Sequence, residues 1–147
     1  MTTEPHKSLR QTRQVHHPLC IVCGNVNGKG LGLQFDTPRP GVVEACFPCP
    51  SALQGYEGIL HGGVSSALLD GAMTNCLFAM GRPAVTAEMR IRFRHPVQTG
   101  CPVLVRAWLE SSHGILHLVT AELRQNDRVM VTASGKFVDK PLMSKPS

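Results

Sequence analysis

The chain has 147 residues, a formal net charge of +5, 42% hydrophobic residues and 17% charged residues. This length fits one domain with a real core rather than two, and the composition excludes a chain that is disordered throughout. Aromatic residues make up only 5%, and no nucleic-acid-binding module is recognisable, so we expect no nucleic-acid partner. The modest positive charge favours a small anionic ligand at least as well.

Residues 1–17 carry charges and no apolar run, so they predict no secretory signal. The longest apolar stretch, residues 64–80, is interrupted by Asp70 and is shorter than a membrane span. Six cysteines without a secretory signal indicate cytosolic thiols or metal ligands rather than disulfides. We therefore expect a cytoplasmic protein with no membrane partner.

In chain order, residues 1–19 are expected to form a flexible leader. Residues 31–35 and 42–47 alternate apolar with polar or small side chains and predict two strands, and a Pro- and Gly-rich turn over 36–41 makes them a hairpin. Residues 61–80 predict one long helix, bounded by glycines before it and by Gly81 and Pro83 after it.

Four strands are predicted after the helix. The first is the clearest, because Met89, Ile91 and Phe93 alternate with polar residues and predict one buried face. The others cover residues 103–109, 115–123 and 128–138. Residues 20–138 would then form the domain and 139–147 a loose tail. The order of two strands, one helix and four strands predicts an α+β fold with a largely antiparallel sheet. The helix is apolar all round and needs cover on all sides, so we expect the sheet to curl around it, with a second subunit able to complete the cover.

Asp70 is the only formally charged residue between Ile59 and Gly81. A buried carboxylate is costly unless it is paired or hydrogen-bonded, so its presence favours a functional role. The alternative is a solvent-facing polar stripe with Ser66 and Thr74, to which it is related by four-residue spacing.

The sequence His61-Gly62-Gly63 opens the predicted helix. Glycines let a ligand approach the backbone, and the free N–H groups of a first helical turn can bind an anion or a developing oxyanion. Alternatively, the glycines allow close packing and His61 caps the helix. Nine residues separate His61 from Asp70 and place them on opposite helix faces, about 13 Å apart along the axis. Two antiparallel copies of the helix in a two-fold dimer would bring both groups to one substrate.

The sequence from Gln54 to Val64, followed by Leu68-Leu69-Asp70-Gly71-Ala72-Met73, resembles the hotdog thioesterases of the phenylacetate-pathway (PaaI-like) type. Cys20-Ile21-Val22-Cys23-Gly24, Asn27 and Gly30-Leu31-Gly32-Leu33 resemble the N-terminal segment of many family members. The match covers about residues 20–138. It implies a hotdog fold, a six-stranded antiparallel sheet wrapped around one long helix, that assembles into homodimers and often homotetramers.

The resemblance also implies hydrolysis of an acyl-CoA thioester. The N–H of Gly62 or Gly63 would polarise the carbonyl, and Asp70 of the partner subunit would act as nucleophile or as base. His61 would orient the site, and Thr86 matches a position where relatives place a serine hydroxyl. Some relatives have an asparagine six residues before the histidine, where this chain has Gly55. Gln54 beside it is therefore a candidate substrate-binding residue.

Two further groups of residues raise questions of chemistry. Cys20 and Cys23 with Cys46 and Cys49 form a CxxC…CxxC pattern that is typical of zinc, with His16 and His17 as further possible ligands. Because Cys46 falls in a strand, we favour buried or incidental thiols and no cofactor. Cys76 and Cys101 are expected to be packing residues.

The side chains of Arg90, Arg92 and Arg94 share one strand face. Either they form a solvated face whose positive charge is paired with Glu88, or they contact the phosphates of coenzyme A.

The sequence alone leaves two other functions possible. A hotdog hydratase or dehydratase would use an aspartate–histidine pair, but no histidine closely follows Asp70. A non-catalytic acyl-CoA sensor or binding subunit would need no carboxylate, so Asp70 argues weakly against it. Substrate choice depends on the shape of a pocket that scattered residues form.

Overall fold

The computed structural model describes residues 4–24 and 28–140. Within these ranges it has two α-helices, α1 (Glu4–His16) and α2 (Gly62–Phe78), and a short 3₁₀ turn (Ser51–Leu53). Six strands complete the fold: β1 (Asp36–Arg39), β2 (Val42–Phe47), β3 (Ala84–Phe93), β4 (Val103–His113), β5 (Leu116–Gln125) and β6 (Arg128–Asp139).

The strands form a single antiparallel sheet in the order β1-β2-β4-β5-β6-β3. Helix α2 packs across this sheet, mostly on β4 and β5. The predicted α+β hotdog architecture is confirmed. The boundaries predicted for β2 are those observed, and β4, β5 and β6 end four, two and one residues later than predicted. None of the helices described is long and apolar enough to cross a membrane.

Helix α2 has defined ends and an interior with few polar side chains. His61 caps its N-terminus, and Gly81, at φ +69°, turns the chain after its last residue so that Arg82 N–H reaches the carbonyl of Leu77. Leu68, Leu69, Met73 and Leu77 are fully buried, and each such side chain contributes about 1.5–3 kcal/mol to folding by leaving water. Burial of these side chains fixes α2 on the sheet.

The structure differs from the expected flexible leader over residues 1–19, because Glu4–His16 form helix α1. Leu9 is 1% exposed, and the Ser8 hydroxyl donates to the carbonyl of Phe78 at 3.0 Å. Helix α1 therefore docks against the C-terminal end of α2. The domain boundary before residue 20 stays a prediction. Residues 141–147 of the predicted tail, and Asn27, lie outside the described residues.

The strand predicted over residues 31–35 is wrong, because β1 lies in the segment that was expected to turn. The N–H of Leu33 donates to the carbonyl of Val22 at 2.8 Å, so this segment pairs with the loop that precedes it. The alternation still predicted burial correctly, since Leu33 and Phe35 are 3% and 4% exposed.

Strand β3 is also more exposed than predicted. Met89 and Ile91 are half-buried, whereas Phe93 and Val85 are 56% and 49% exposed. Since β3 is the last strand of the sheet beside β6, the described chain does not continue the sheet beyond it. An exposed apolar edge of this kind is where a second chain would add.

Candidate active site

The first turn of α2 is held by its own histidine. The N-cap residue His61 has φ −57° and ψ 132°, and its Nδ1 accepts the N–H of Gly63 at 2.8 Å. An accepting Nδ1 carries no proton, so the neutral ring presents Nε2–H as a donor. The N–H of Gly62 donates to no acceptor within the described residues. Of the two glycine amides, only that of Gly62 is available to a ligand.

A short folded loop places this turn. The N–H of His61 donates to the carbonyl of Leu53 at 3.0 Å, and the N–H of Leu60 donates to Val97 at 2.8 Å. Gln54, predicted to bind substrate, instead uses its Oε1 to accept the N–H of Gly58 at 3.1 Å. The side chain of Gln54 stabilises the loop and is not part of the cavity lining.

A cavity of about 540 Å³ opens beside the Gly62 amide. Its size is typical of small-molecule sites. The lining comes from the loop before α2, from the first turn of α2 and from the chain after β3, and includes Tyr56, Ile59, His61, Ser65, Phe93, Arg94, His95 and Val97. Most of its surface is apolar, although polar side chains, His61, Arg94 and His95 among them, also line it, so it can accept an apolar group whose carbonyl meets the helix N-terminus.

Asp70 lies elsewhere, half-buried in the middle of α2 and facing β3. The Thr86 hydroxyl donates to its Oδ1 at 2.6 Å. The pairing of β3 with β6 shifts register between Thr86 and Glu88, and such a bulge re-aims the side chains beside it. Neither Asp70 nor Thr86 lines the cavity beside His61. The structure thus joins Asp70 with Thr86, and His61 with Gly62, in two separate places.

Arg90, Arg92 and Arg94 lie along one groove, which Thr120, Thr132 and Ser134 also line. Arg94 lines the cavity as well, so it lies where the groove and the cavity meet. The Nε of Arg90 contacts Glu88 at 3.3 Å, and both side chains are largely exposed, so this pair adds little stability.

The four cysteines of the CxxC…CxxC pattern do not converge. Cys46 is exposed on β2 and Cys49 is buried. Burial is the main cause that raises the pKa of the Cys49 thiol, and electrostatic repulsion from Cys101 adds to it. Cys20 and Cys23 instead lie with His17 at the end of α1.

Electrostatics sets the Cys20–Cys23 pair apart from the other thiols. A hydrogen bond between the two thiols, with a smaller contribution from His17, lowers the pKa of Cys20 to about 3. The same hydrogen bond, together with burial, raises the pKa of Cys23. Burial raises the pKa of Cys76 to about 12, which agrees with its expected role in packing.

The spacing of His95, His113 and His117 in the sequence indicates no function, and His113 is exposed at the end of β4. His95 lines the cavity. His117 is fully buried, with its Nδ1 2.8 Å from the Ser112 hydroxyl and its Nε2 2.6 Å from Asp139. These three residues come from β4, β5 and β6, so no local sequence pattern indicates their contact. His117 and Ser112 lie outside the cavity lining, and the array ties the ends of three strands together.

A six-stranded antiparallel sheet packed on one long helix, with an open helix N-terminus beside a cavity, defines a hotdog domain. The chain matches the Thioesterase superfamily over residues 57–132, which is more than half of its length, and it belongs to that family. The resemblance to the hotdog thioesterases is confirmed.

Individual relatives agree with this assignment. The chain is 30% identical over 88 residues to acyl-coenzyme A thioesterase THEM4 of Bos taurus, a match that covers 58% of this chain and 36% of the bovine protein. It therefore spans about a third of that relative's length. A solved thioesterase superfamily protein is 27% identical with a TM-score of 0.76, covering 80% of this chain and 62% of the other.

Two solved structures show the fold at lower identity. PaaI, from the phenylacetic acid degradation operon of E. coli, is 16% identical with a TM-score of 0.77 and covers 91% of this chain and 94% of its own. A protein of Streptococcus mutans solved bound to acetyl CoA is 16% identical with a TM-score of 0.69, covering 74% and 88%.

Proposed function

We propose that this protein hydrolyses an acyl-CoA thioester to a free acid and coenzyme A. The observation that carries the proposal is the Gly62 N–H, which has no protein acceptor among the described residues and opens on an apolar cavity. A thioester carbonyl placed there would accept this N–H, and the dipole of α2 would stabilise negative charge on its oxygen. Membership of the Thioesterase superfamily supports the reaction type.

The site would be completed by a second copy of the chain. Asp70 does not line the cavity of its own chain, while Val85 and Phe93 leave β3 with an exposed apolar edge. In a two-fold homodimer, Asp70 of each copy would serve the cavity of the other, which gives two equivalent sites. A dimer of dimers would extend the same assembly.

The Asp70 carboxylate would supply the base or the nucleophile. As a base it takes a proton from water while the water oxygen bonds to the carbonyl carbon, and the proton passes to the thiolate when the C–S bond breaks. As a nucleophile its oxygen bonds to the carbonyl carbon while the C–S bond breaks and coenzyme A leaves as the thiolate; water then hydrolyses the anhydride to the free acid, restores the Asp70 carboxylate and supplies the proton that the thiolate takes up. In both cases the Thr86 hydroxyl holds Oδ1 and leaves the other carboxylate oxygen to react.

Coenzyme A would be held partly by charge. Arg94 lines the cavity and can reach a phosphate at its mouth, and Arg90 and Arg92 extend the positive surface along β3. A fold neighbour solved with acetyl CoA supports this ligand class. Cytoplasmic location stays a prediction.

The first test measures thiol release from a panel of acyl-CoAs. Asp70→Asn removes the charge and the base with little change of shape, so we expect turnover to fall about 100-fold or more. Asp127→Asn is the matched control, because this turn residue, at φ 62°, lies outside the site and asparagine tolerates that backbone. Undiminished hydrolysis by Asp70→Asn would contradict the role of Asp70. Tight binding of acyl-CoA without thiol release would indicate a sensor instead.

A second arm tests whether the site is shared between chains. Asp70→Asn is mixed with Gly62→Pro, which removes the N–H at the first helical position, and the two inactive proteins are co-refolded. In a shared-site dimer, half of the molecules are mixed and each carries one intact site, so activity returns to about a quarter of the wild-type value. A site built within one chain gives no recovery.

A further inference from the structure

Three side chains with metal-ligand chemistry meet where α1 ends. The ligand atoms of His17, Cys20 and Cys23 all lie within 4.8 Å of one another, and no other group of three such residues is found in the described ranges 4–24 and 28–140. The Sγ of Cys23 is 3.8 Å from Nδ1 of His17. The cluster lies on the α1 side of α2, and none of its members lines the cavity.

We propose that His17, Cys20 and Cys23 bind one zinc ion. Zinc bound at about 2.3 Å from sulfur and about 2.0 Å from nitrogen in a tetrahedron holds a sulfur and a nitrogen about 3.6 Å apart. The observed 3.8 Å separation of Cys23 Sγ and His17 Nδ1 is close to that value. Two thiolates and an imidazole are soft and borderline ligands, which suit zinc rather than magnesium or calcium. The fourth position is open to a solvent molecule.

The loop that carries the two cysteines is built tightly around Cys20. The N–H of Val22 donates to Cys20 Sγ at 3.4 Å, and the N–H of Gly24 donates to the carbonyl of Cys20 at 2.9 Å. A Cβ on Gly24 would lie 2.5 Å from the backbone nitrogen of Cys20, so this fold of the loop requires glycine. An N–H that donates to sulfur orients the sulfur and stabilises a thiolate ligand, as outer partners do in metal sites.

The histidine is oriented independently of the cysteines. Its ring packs edge-on against Phe78, with centroids 4.9 Å apart and planes at 83°. The Arg13 guanidinium donates to the carbonyl of Cys23 at 2.7 Å, which ties the cysteine loop to α1. The three ligands are therefore positioned by contacts other than those they make with each other.

The bound ion would act on the helix that carries Asp70. Val22, between the two cysteines, lies so close to Gly71 of α2 that a Cβ there would be 2.5 Å from its Cγ1. Gly71 directly follows Asp70 in the sequence. Zinc would join α1 and the cysteine loop into one rigid unit and hold that unit against the back of α2, so its role is structural.

The test measures metal in full-length protein purified under reducing conditions after growth with zinc. We expect one zinc per chain in the wild type and in Cys46→Ser, which removes an exposed thiol outside the cluster. Cys20→Ser and His17→Gln should each retain less than about a tenth of that zinc, because two remaining ligands hold the ion weakly. Equal zinc in the wild type and Cys20→Ser would overturn the proposal.

Cobalt titration keeps the proposal testable if a variant does not fold. Wild-type protein freed of zinc and given Co²⁺ should show the visible bands of a tetrahedral site and a near-ultraviolet sulfur-to-cobalt charge-transfer band sized for two thiolates. Failure of reduced wild-type protein to take up either ion would overturn the proposal, and so would recovery of a metal-free chain with a Cys20–Cys23 disulfide. Neither readout depends on hydrolysis, so this inference stands or fails separately from the proposed function.

Discussion

The two halves of α2 have opposite surroundings. Every residue from 71 to 78 is buried, with the sheet on one side and α1 and the cysteine loop on the other. Between Gly62 and Asp70 only the face toward the sheet is closed, and the first two glycines are exposed. The closed half fixes the position of the helix, while the open half carries an N–H without an acceptor in the described chain and a carboxylate at its surface.

This difference indicates how a helix with few polar groups can support chemistry. A rigid element places groups more accurately than a loop does, and here the buried half supplies the rigidity. In the open half, His61 caps the first turn and the Thr86 hydroxyl donates to the Asp70 carboxylate. The predictions that follow disturb one half at a time, starting with the largest expected effect.

The largest effect is expected from Gly62→Pro in the open half. Proline is favoured at the first helical position, and His61 already has the extended backbone that must precede it, so we expect the fold to be retained. The substitution removes only the N–H that would meet the thioester oxygen, and loss of one such donor costs about 100- to 1,000-fold in rate.

Gly62→Ala is the matched comparison for this change. It keeps the N–H, and its Cβ would lie 3.6 Å from the Phe93 ring, an ordinary contact. The measurement is the ratio of turnover numbers for the two variants on the same acyl-CoA, with thermal melting to confirm folding. Equal rates for the alanine and proline variants would exclude the Gly62 N–H as the oxyanion donor.

The sequence predicted most of what surrounds the open half. The glycines at either end of an apolar run gave the bounds of α2 to within two residues, and alternation gave β2 and the strands after the helix. The nine-residue spacing also separated His61 from Asp70. These features depend on local periodicity, which a single sequence displays directly.

The closed half was less predictable, because its cover comes from residues with little apolar character. Helix α1 buries only Leu9 and Arg13, so this charged segment shows no apolar stripe that would predict a docked helix. The CxxC…CxxC pattern offered Cys46 and Cys49 as partners for Cys20 and Cys23. In the structure, the residue that lies beside Cys20 and Cys23 is His17, directly after the end of α1. Contacts between elements, rather than periodicity within one, decide both cases.

In the closed half, Gly71→Ala is expected to destabilise the protein by about 1–3 kcal/mol, as overpacking does. The added Cβ would lie 2.5 Å from Cγ1 of Val22, and Val22 is itself buried. We expect the free energy of unfolding in urea to fall while the activity of the folded fraction changes little.

Val22→Ala shows whether that contact is the cause. It removes Cγ1 and leaves the Cβ of residue 22 at 3.1 Å from the added one, so in its background Gly71→Ala should destabilise the protein by less than about 1 kcal/mol, part of which helix propensity offsets. Measured by urea unfolding, a destabilisation of the same size in both backgrounds would mean that the loop does not press on α2 at this point.

The smallest effect is expected at the border between the halves, from Thr86→Val. Valine matches threonine in shape and favours a strand, so β3 should keep its geometry and the melting temperature should change little. The lost hydrogen bond to the Asp70 carboxylate is of the charge-assisted kind, worth about 1.5–3 kcal/mol, but Asp70 is only half-buried and water replaces part of it. We therefore expect turnover to fall about 10-fold, which corresponds to a free-energy change of about 1.4 kcal/mol.

Thr86→Ser keeps the hydroxyl on the same backbone and is the comparison for Thr86→Val. If Thr86 orients the carboxylate, turnover should rank serine well above valine, while the KM for acyl-CoA is similar in both, because the bond acts on the reacting group rather than on substrate affinity. A loss confined to KM would place Thr86 in binding. Equal turnover for the two variants would leave Asp70 to be held by α2 alone, and the rigidity of the closed half would then be sufficient to position it.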